Sequence, residues 1–357
     1  MNEQEAMSRA LDLALRGWGR VQQDPLVGAV VLKDGEVVGE GWHPEYGDRH
    51  AETVALADAG ERARGATLVV TLEPCSHSGK QPPCTDAIIK SGVARVVAAM
   101  RDPNPLAAGG GELLSRAGIE VEIGSGSEAA AVLNAVFLHG LRNSERPFVA
   151  LKLSTTLDGR IADGFGQSRW ISGESARAYV QWLRAGFDAI AVGGRTARVD
   201  DPALTVRGAV QPRVPPRRVV FDRIADLGPH LTLLRTAQDI PTLVVVAPDA
   251  DRARVKRLEG AGATIIHAES LGDALASLRQ HGISSLLVEG GGQLAGALLA
   301  AGMVDRYYWL QAPIWLGDGG VPALAGLPTR GLDQAERWRV IERRALGEDT
   351  LLVLDRR

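Results

Sequence analysis

Cysteine is scarce in this sequence: there are two, Cys75 and Cys84, in 357 residues. That scarcity argues against a disulfide framework. The start, Met1-Asn2-Glu3-Gln4-Glu5, is acidic and lacks the basic and apolar regions of a secretory leader, so a cytoplasmic protein is expected, with its thiols free for metal binding or catalysis. No apolar run approaches membrane-spanning length, so no membrane partner is expected. Lys+Arg 40 against Asp+Glu 43 gives a formal charge of -3, and with no basic excess no nucleic-acid partner is expected either. Internal repeats and low-complexity tails are missing as well.

What is present suits ordinary globular folding, with 45% apolar and 23% charged residues. The length is generous for one domain and comfortable for two. Apolar periodicity predicts helices over 5–18, 50–59, 84–90, 111–117 and 128–142, and strands over 26–33, 37–42, 66–72, 94–100 and 119–123. Asp34-Gly35 supplies a two-residue hairpin turn. The polar stretch Asn143-Ser144-Glu145-Arg146-Pro147 ends in a helix breaker, which divides the chain into domains 1–145 and 146–357. Beyond it, strands are predicted over 148–154, 189–193, 218–221, 242–247, 264–267 and 285–288, with helices over 175–185, 274–280 and 294–301. Alternating strands and helices predict layered α/β architecture in both halves.

Both cysteines lie in one polar segment, Glu73-Pro74-Cys75-Ser76-His77-Ser78-Gly79-Lys80-Gln81-Pro82-Pro83-Cys84, preceded by His50-Ala51-Glu52. Two thiolates and one imidazole can hold Zn²⁺ and leave a fourth position open, the ligand count of a catalytic site. A structural site needs a fourth protein ligand, for which His77 is the candidate. His50 and Cys84 open two helices, whose positive ends favour negative charge, and Cys75 enters from a strand end. Glu52 places a carboxylate two residues after the histidine, in the first turn of the same helix.

In the second half, Val288 closes a strand and Glu289-Gly290-Gly291-Gly292 leads into a helix, so free backbone N–H groups could meet a phosphate. Alone, the glycine run reads equally as a tight turn, and it is not the G-x-G-x-x-G fingerprint. Arg184 and Arg207 are cations of the kind a phosphorylated sugar requires. Tyr307, Tyr308, Trp309 and Trp315 are expected in a late strand or a subunit interface, which leaves a homo-oligomer open.

His-x-Glu followed by Pro-Cys and a second cysteine resembles the zinc-dependent base and nucleoside deaminases. Here eight residues separate the cysteines where most such enzymes have two. That segment, with Asp102-Pro103-Asn104-Pro105, is similar to the deaminase half of the bifunctional riboflavin-biosynthesis pyrimidine deaminases/reductases. Ser154 to Arg160, Ser168 to Ser172, Asp200 to Arg207 and Val288 to Gly291 resemble the reductase half, in the same order along nearly the whole chain.

The resemblance implies a cytidine-deaminase-like three-layer domain followed by a dihydrofolate-reductase-like α/β domain. It also implies deamination of a phosphorylated diaminopyrimidine and NADPH-dependent reduction of the product's ribosyl group. Zn²⁺ would sit on His50, Cys75 and Cys84, with Glu52 catalytic. NADPH would meet Ser154, Trp170, Thr196, Asp200, Gly291, Gly292, Gln293, Leu294, Ala295, Gly296 and Ala297. Substrate would meet Ser168, Arg184, Leu204, Arg207 and Glu289. Two positions depart from the family pattern: Asp24 stands where an asparagine is usual, and Arg223 where a serine is frequent. A single-function deaminase with a non-catalytic second half, or a zinc-stabilised binding module, are the rival readings.

Overall fold

The computed structural model describes residues 1–142 and 145–357, and the chain divides into two compact units, Met1–Ser144 and Glu145–Arg357. Residues 143 and 144, at the head of the expected linker, lie outside the described residues.

The first unit runs α1 (Glu3–Ala14), β1 (Gly28–Lys33), β2 (Glu36–Trp42), α2 (Ala51–Ala59), β3 (Thr67–Val70), α3 (Cys84–Ser91), β4 (Arg95–Ala98), α4 (Gly110–Arg116), β5 (Glu120–Ile123), α5 (Ser127–Leu133) and α6 (Ala135–Leu141). Its sheet has the order β2-β1-β3-β4-β5, antiparallel at the hairpin and at β1–β3, parallel from β3 onward. Asp34 and Gly35 both have positive φ, 51° and 80°, as the tight hairpin requires.

Period-two alternation sends strand side chains to opposite faces. Val30, Leu32, Val69 and Val97 pack with Ala6, Met7, Ala10 and Leu13 of α1. Ala29, Val31, Leu68, Val70, Val96 and Ala98 pack instead with Ala51, Ala55, Leu56 and Ile88 from α2 and α3. The result is three layers. Gly39 and Gly41 on β2 let α2 lie against the strand: a Cβ at Gly41 would collide with the Ala51 carbonyl oxygen, and one at Gly39 with that of Ala55.

The helix predicted over 128–142 is two helices. The break is at Asn134, which is 3% exposed; its Oδ1 accepts from Leu26 N at 2.8 Å and its Nδ2 donates to Leu26 O at 3.1 Å. The side-chain amide thus pairs with backbone as a strand would, satisfying polar groups that burial would otherwise leave unpaired.

The second unit runs β6 (Phe148–Thr155), β7 (Arg160–Ala162), α7 (Glu174–Ala185), β8 (Ala189–Gly193), α8 (Gly194–Asp200), β9 (Arg217–Phe221), α9 (Thr232–Arg235), β10 (Thr242–Val246), α10 (Arg252–Gly260), β11 (Thr264–His267), α11 (Leu271–Gln280), β12 (Ser285–Glu289), α12 (Gly292–Ala300), β13 (Arg306–Gln311), β14 (Val321–Pro322), β15 (Arg339–Leu346) and β16 (Asp349–Asp355). Nine strands form one sheet in the order β11-β10-β9-β8-β12-β6-β13-β16-β15. The strands from β11 to β13 are parallel, and β16 and β15 close one side antiparallel. Ala191, Val219, Leu243 and Val245 join one core cluster, while Ile190, Val192, Val220 and Val244 join the cluster on the opposite face.

Because β12 returns between β8 and β6, the carboxyl ends of these strands form the switch point at which open parallel sheets bind ligands. Tyr307, Tyr308 and Trp309 lie on β13, with Tyr307 and Tyr308 buried, whereas Trp315 is exposed. No helix among the described residues is long and apolar enough to cross a membrane.

Candidate metal centre and cofactor cleft

The two close-packed glycines of β2 hold α2 where its N-cap is His50 and its first turn carries Glu52. Cys84 is the first residue of α3, after Pro83, and Cys75 lies on the loop that leaves β3. The donor atoms of His50, Cys75 and Cys84 all lie within 4.8 Å of one another. His50 Nδ1 is 3.2 Å from Cys84 Sγ and 3.5 Å from Cys75 Sγ. Tetrahedral zinc with Zn–S near 2.3 Å and Zn–N near 2.1 Å separates its donors by roughly 3.5 Å, so the set fits that ion. Among the described residues no fourth His, Cys, Asp or Glu joins the group, and His77 is exposed on the loop.

The loop behind Cys75 is pinned from beneath. Glu73, buried, accepts from Gly111 N at 2.9 Å and from Asp102 N at 3.1 Å. The Cys84 backbone N–H donates to Cys75 Sγ at 3.4 Å, and hydrogen bonding from Cys84, aided by His50, pulls the Cys75 thiol down to about 4. Cys84, sharing its proton with Cys75 and buried, is pushed up. The hydrogen bond to Cys75 raises His50 against the opposing effect of burial. Glu52 is 4% exposed, and that burial, more than any neighbouring charge, raises its carboxyl above the usual range. A group held in that way can both give and take a proton.

One neighbour, His43, carried no clear signal in the sequence. His43, 4% exposed, turns Nδ1 toward Arg49 O at 3.1 Å, and its ring meets His50 edge-on with centroids 5.6 Å apart. Asp24 Oδ2 is 3.4 Å from His43 Nε2, which puts the residue that departs from the family pattern within reach of the centre. Lys80 sits over the Tyr46 ring, 3.4 Å from its centroid.

In the second unit the strand ends surround a cleft of about 1840 Å³. Ser154, Ser168, Trp170, Arg184, Thr196, Asp200, Leu204, Arg207 and Glu289 all line it, as do Gly291, Gly292, Gln293, Leu294 and Ala297. Ala295 and Gly296 do not: Ala295 belongs to the apolar core, and Gly296 lies against the Ala325 backbone, where a side chain has no room. The helix expected from 294 begins two residues earlier, with Gly291 as its N-cap at φ 86°, so the glycine run is both turn and first turn of α12. No side chain caps that helix, and Gly292, Gln293 and Leu294 of its first turn line the cleft, so their backbone N–H groups form a donor set that suits a dinucleotide phosphate.

Arg184 is not a free cation. Its Nε and Nη2 donate to the two oxygens of Glu289 at 2.6 and 3.0 Å, and Nη1 donates to Thr205 O at 2.8 Å. Burial pushes the Glu289 carboxyl up, but Arg184 and Lys152 together bring it below its ordinary value. Lys152 is pulled down by burial, with Glu289 acting against that shift. Lys152 escaped notice in the sequence, although a lone lysine inside Phe148-Val149-Ala150-Leu151-Lys152-Leu153 was its available mark. Arg207 is exposed at the rim, tied down through its backbone N–H to Gln181 at 2.8 Å.

Residues 1–100 match the model of the cytidine and deoxycytidylate deaminase zinc-binding region, and residues 147–352 match the RibD C-terminal domain. The riboflavin biosynthesis protein RibD of Escherichia coli is 42% identical, with 99% of each chain covered. That of Aquifex aeolicus is 40% identical over 98% of this chain and 97% of its own. The chain belongs to the RibD family. Solved RibD-family structures agree in fold: the Thermotoga maritima deaminase/reductase superposes with a TM-score of 0.83 at 34% identity, covering 99% of both chains. Acinetobacter baumannii RibD gives 0.82 at 37% identity, covering 99% of this chain and 98% of its own. As in the RibD family, a zinc deaminase of cytidine-deaminase fold and an NADPH-using reductase share one chain, which is a bifunctional enzyme of riboflavin biosynthesis.

Proposed function

We propose that the first unit, 1–145, hydrolytically deaminates 2,5-diamino-6-ribosylamino-4(3H)-pyrimidinone 5′-phosphate, and that the second, 146–357, reduces the resulting 5-amino-6-(5-phosphoribosylamino)uracil to its ribityl form, both in the cytoplasm. The convergence of His50, Cys75 and Cys84 beside a buried Glu52 carries this reading. Zinc, when bound by those three side chains, supplies the Lewis acidity that brings a water's pKa toward neutrality. Glu52 takes a proton from the attacking water and passes it to the ring nitrogen, then takes the proton of the newly formed C–OH and delivers it to the amine, so that the C–N bond breaks, a carbonyl forms and ammonia leaves. Its raised pKa suits this exchange.

In the second unit NADPH, when bound, supplies the hydride. Ser154, Trp170, Thr196, Asp200 and the 291–297 turn hold it, with Ala295 and Gly296 supporting from behind. The reduced centre is the ribosyl carbon bearing nitrogen; the ring C–O bond opens and its oxygen takes a proton. Arg207, whose guanidinium has no partner among the described residues, meets the substrate phosphate, and Ser168, Leu204 and the Arg184–Glu289 pair shape the pocket around the sugar. Positioning is the chief contribution of these residues.

The test supplies the phosphorylated diaminopyrimidine to zinc-loaded protein with and without NADPH. Ammonia is expected in both cases, and NADPH consumption only after ammonia has formed. No ammonia from zinc-loaded protein would overturn the reading.

A further inference from the structure

The three donors of the metal centre are held by unequal means. His50 is the N-cap of α2 and Cys84 is the first residue of α3, so each is fixed by a helix. Cys75 lacks such support: it lies in irregular chain between β3, which ends at Val70, and α3. A donor on a loop must be ordered before it can bind, and that ordering subtracts from metal affinity.

Residues 100–111 supply the missing support. Glu73 N donates to Met100 O at 2.9 Å, Ser76 N to Ala107 O at 3.3 Å and Ser76 Oγ to Ala108 O at 2.9 Å. Gly110 gives Pro74 room, since a Cβ there would lie 1.8 Å from the Pro74 carbonyl oxygen. This segment is itself irregular until α4 begins at Gly110. The Glu73 side chain ties its two ends: Oε2 accepts from Asp102 N at 3.1 Å and Oε1 from Gly111 N at 2.9 Å. The second bond also caps α4, whose own N-cap, Gly109, has no side chain to offer. Glu73, Asp102 and Gly111 are all buried, so bulk water does not stand in for either bond. With both oxygens engaged by backbone N–H groups, and lying outside the donor group, Glu73 acts on the centre through the chain rather than as a ligand.

We propose that Glu73 is a positioning residue of the metal centre: it locks the Cys75 loop against residues 100–111, holds that donor in place before the ion arrives, and thereby sets how tightly zinc is kept. The inference rests on His50, Cys75 and Cys84 being the zinc ligands. Glu73→Gln keeps nearly the same shape but turns an amide NH₂ toward one of the two backbone donors, which frees one end of the segment. Residues that orient metal ligands from behind typically change affinity about 10- to 100-fold, and because Glu73 acts through backbone the lower figure is expected.

The test is the zinc affinity of the full-length protein, measured by competition with a chromophoric chelator, together with the absorption of the Co²⁺-substituted protein, whose thiolate-to-cobalt charge-transfer band reports the two sulfurs. Glu73→Gln should hold zinc about tenfold more weakly than wild type and lose charge-transfer intensity per cobalt. Met7→Ala is the control: it opens a cavity on the opposite face of the sheet, so it loosens the same unit away from the Cys75 loop. It should keep wild-type affinity and spectrum. NADPH oxidation with the deaminated substrate should be unchanged in both variants. A Glu73→Gln protein with wild-type affinity and spectrum overturns the proposal. So does a Met7→Ala protein whose zinc affinity falls as far, since Glu73 would then only support the fold. If Glu73→Gln does not fold, Ser76→Ala removes a neighbouring tie to the same segment: zinc held about threefold more weakly supports the proposal, and wild-type affinity overturns it. A wild-type chain that binds no zinc overturns the reading of the metal site itself.

Discussion

The two units solve different chemical problems with different distributions of residues. In the first, three donor atoms within 4.8 Å and one buried carboxylate hold the reactive chemistry. In the second, the cleft gathers residues from the ends of β6, β8, β9, β10 and β12. Hydrolysis needs particular functional groups at fixed points. Hydride transfer borrows its reactivity from the cofactor and asks the protein mainly for position. A concentrated site should therefore fail at a single atom, and a dispersed one should fail through its supports.

The sharpest way to test the contrast is Glu52→Gln. Loss of a general acid–base group costs about 10²–10⁴ in rate, and here deamination should fall toward the larger figure. Reduction of the separately supplied deaminated product should stay within about twofold. Parallel assays of ammonia release and NADPH oxidation decide it, and an equal fall in both would erase the distinction between the units.

Next in size is Glu289→Ala, which strands Arg184 in a site where the two side chains are 12% and 10% exposed. Removing one partner of a buried pair typically costs about 3–5 kcal/mol, and chemical denaturation of the reductase unit should register a loss of that order. Its pH dependence has a definite sign. The folded carboxyl titrates below its ordinary 4.5, so the stabilisation is complete above that value and is lost as pH falls through the depressed one. The stability gap between wild type and variant should be flat at neutral pH and narrow below pH 4.5; a gap that widens in acid would refute the account.

The same contrast explains what could be read from the sequence. His50, Glu52, Cys75 and Cys84 lie in two short polar segments, rare residues in recognisable spacing, and their meeting needed only strand and helix ends in the right order. The Arg184–Glu289 pair spans 105 residues, and nothing local to either residue marks the other. Asn134 is a similar case: apolar periodicity ran through it to predict one helix, because its partner, Leu26, is 108 residues away.

Strands β15 and β16 were also missed. β15, Arg339–Leu346, is a mostly exposed edge strand rich in arginine, so it lacks the apolar alternation that marks half-buried strands. Helix α10, also unpredicted, had a usable signal: Asp251 caps it by accepting from Arg254 N at 2.9 Å.

The smallest predicted effect is Asn134→Ala, which deletes two buried hydrogen bonds and leaves Leu26 with unsatisfied backbone groups. A loss of about 1–3 kcal/mol is expected in the deaminase unit, with no change in reductase unfolding. A loss shared by both units would show that their stabilities are coupled.

Gly39 and Gly41 have a consequence for how this enzyme tolerates change. They carry no functional group and would be passed over in any inventory of reactive residues. Yet the helix that starts at His50 and carries Glu52 is seated along its length on the space they leave, its first turn on Gly41 and its later residues on Gly39. A saturation screen scored on ammonia release should therefore find these two positions nearly as intolerant as the metal ligands, with alanine already harmful, and the same substitutions silent in a screen scored on NADPH oxidation. In evolutionary terms the active site extends to two positions whose contribution is the absence of a side chain.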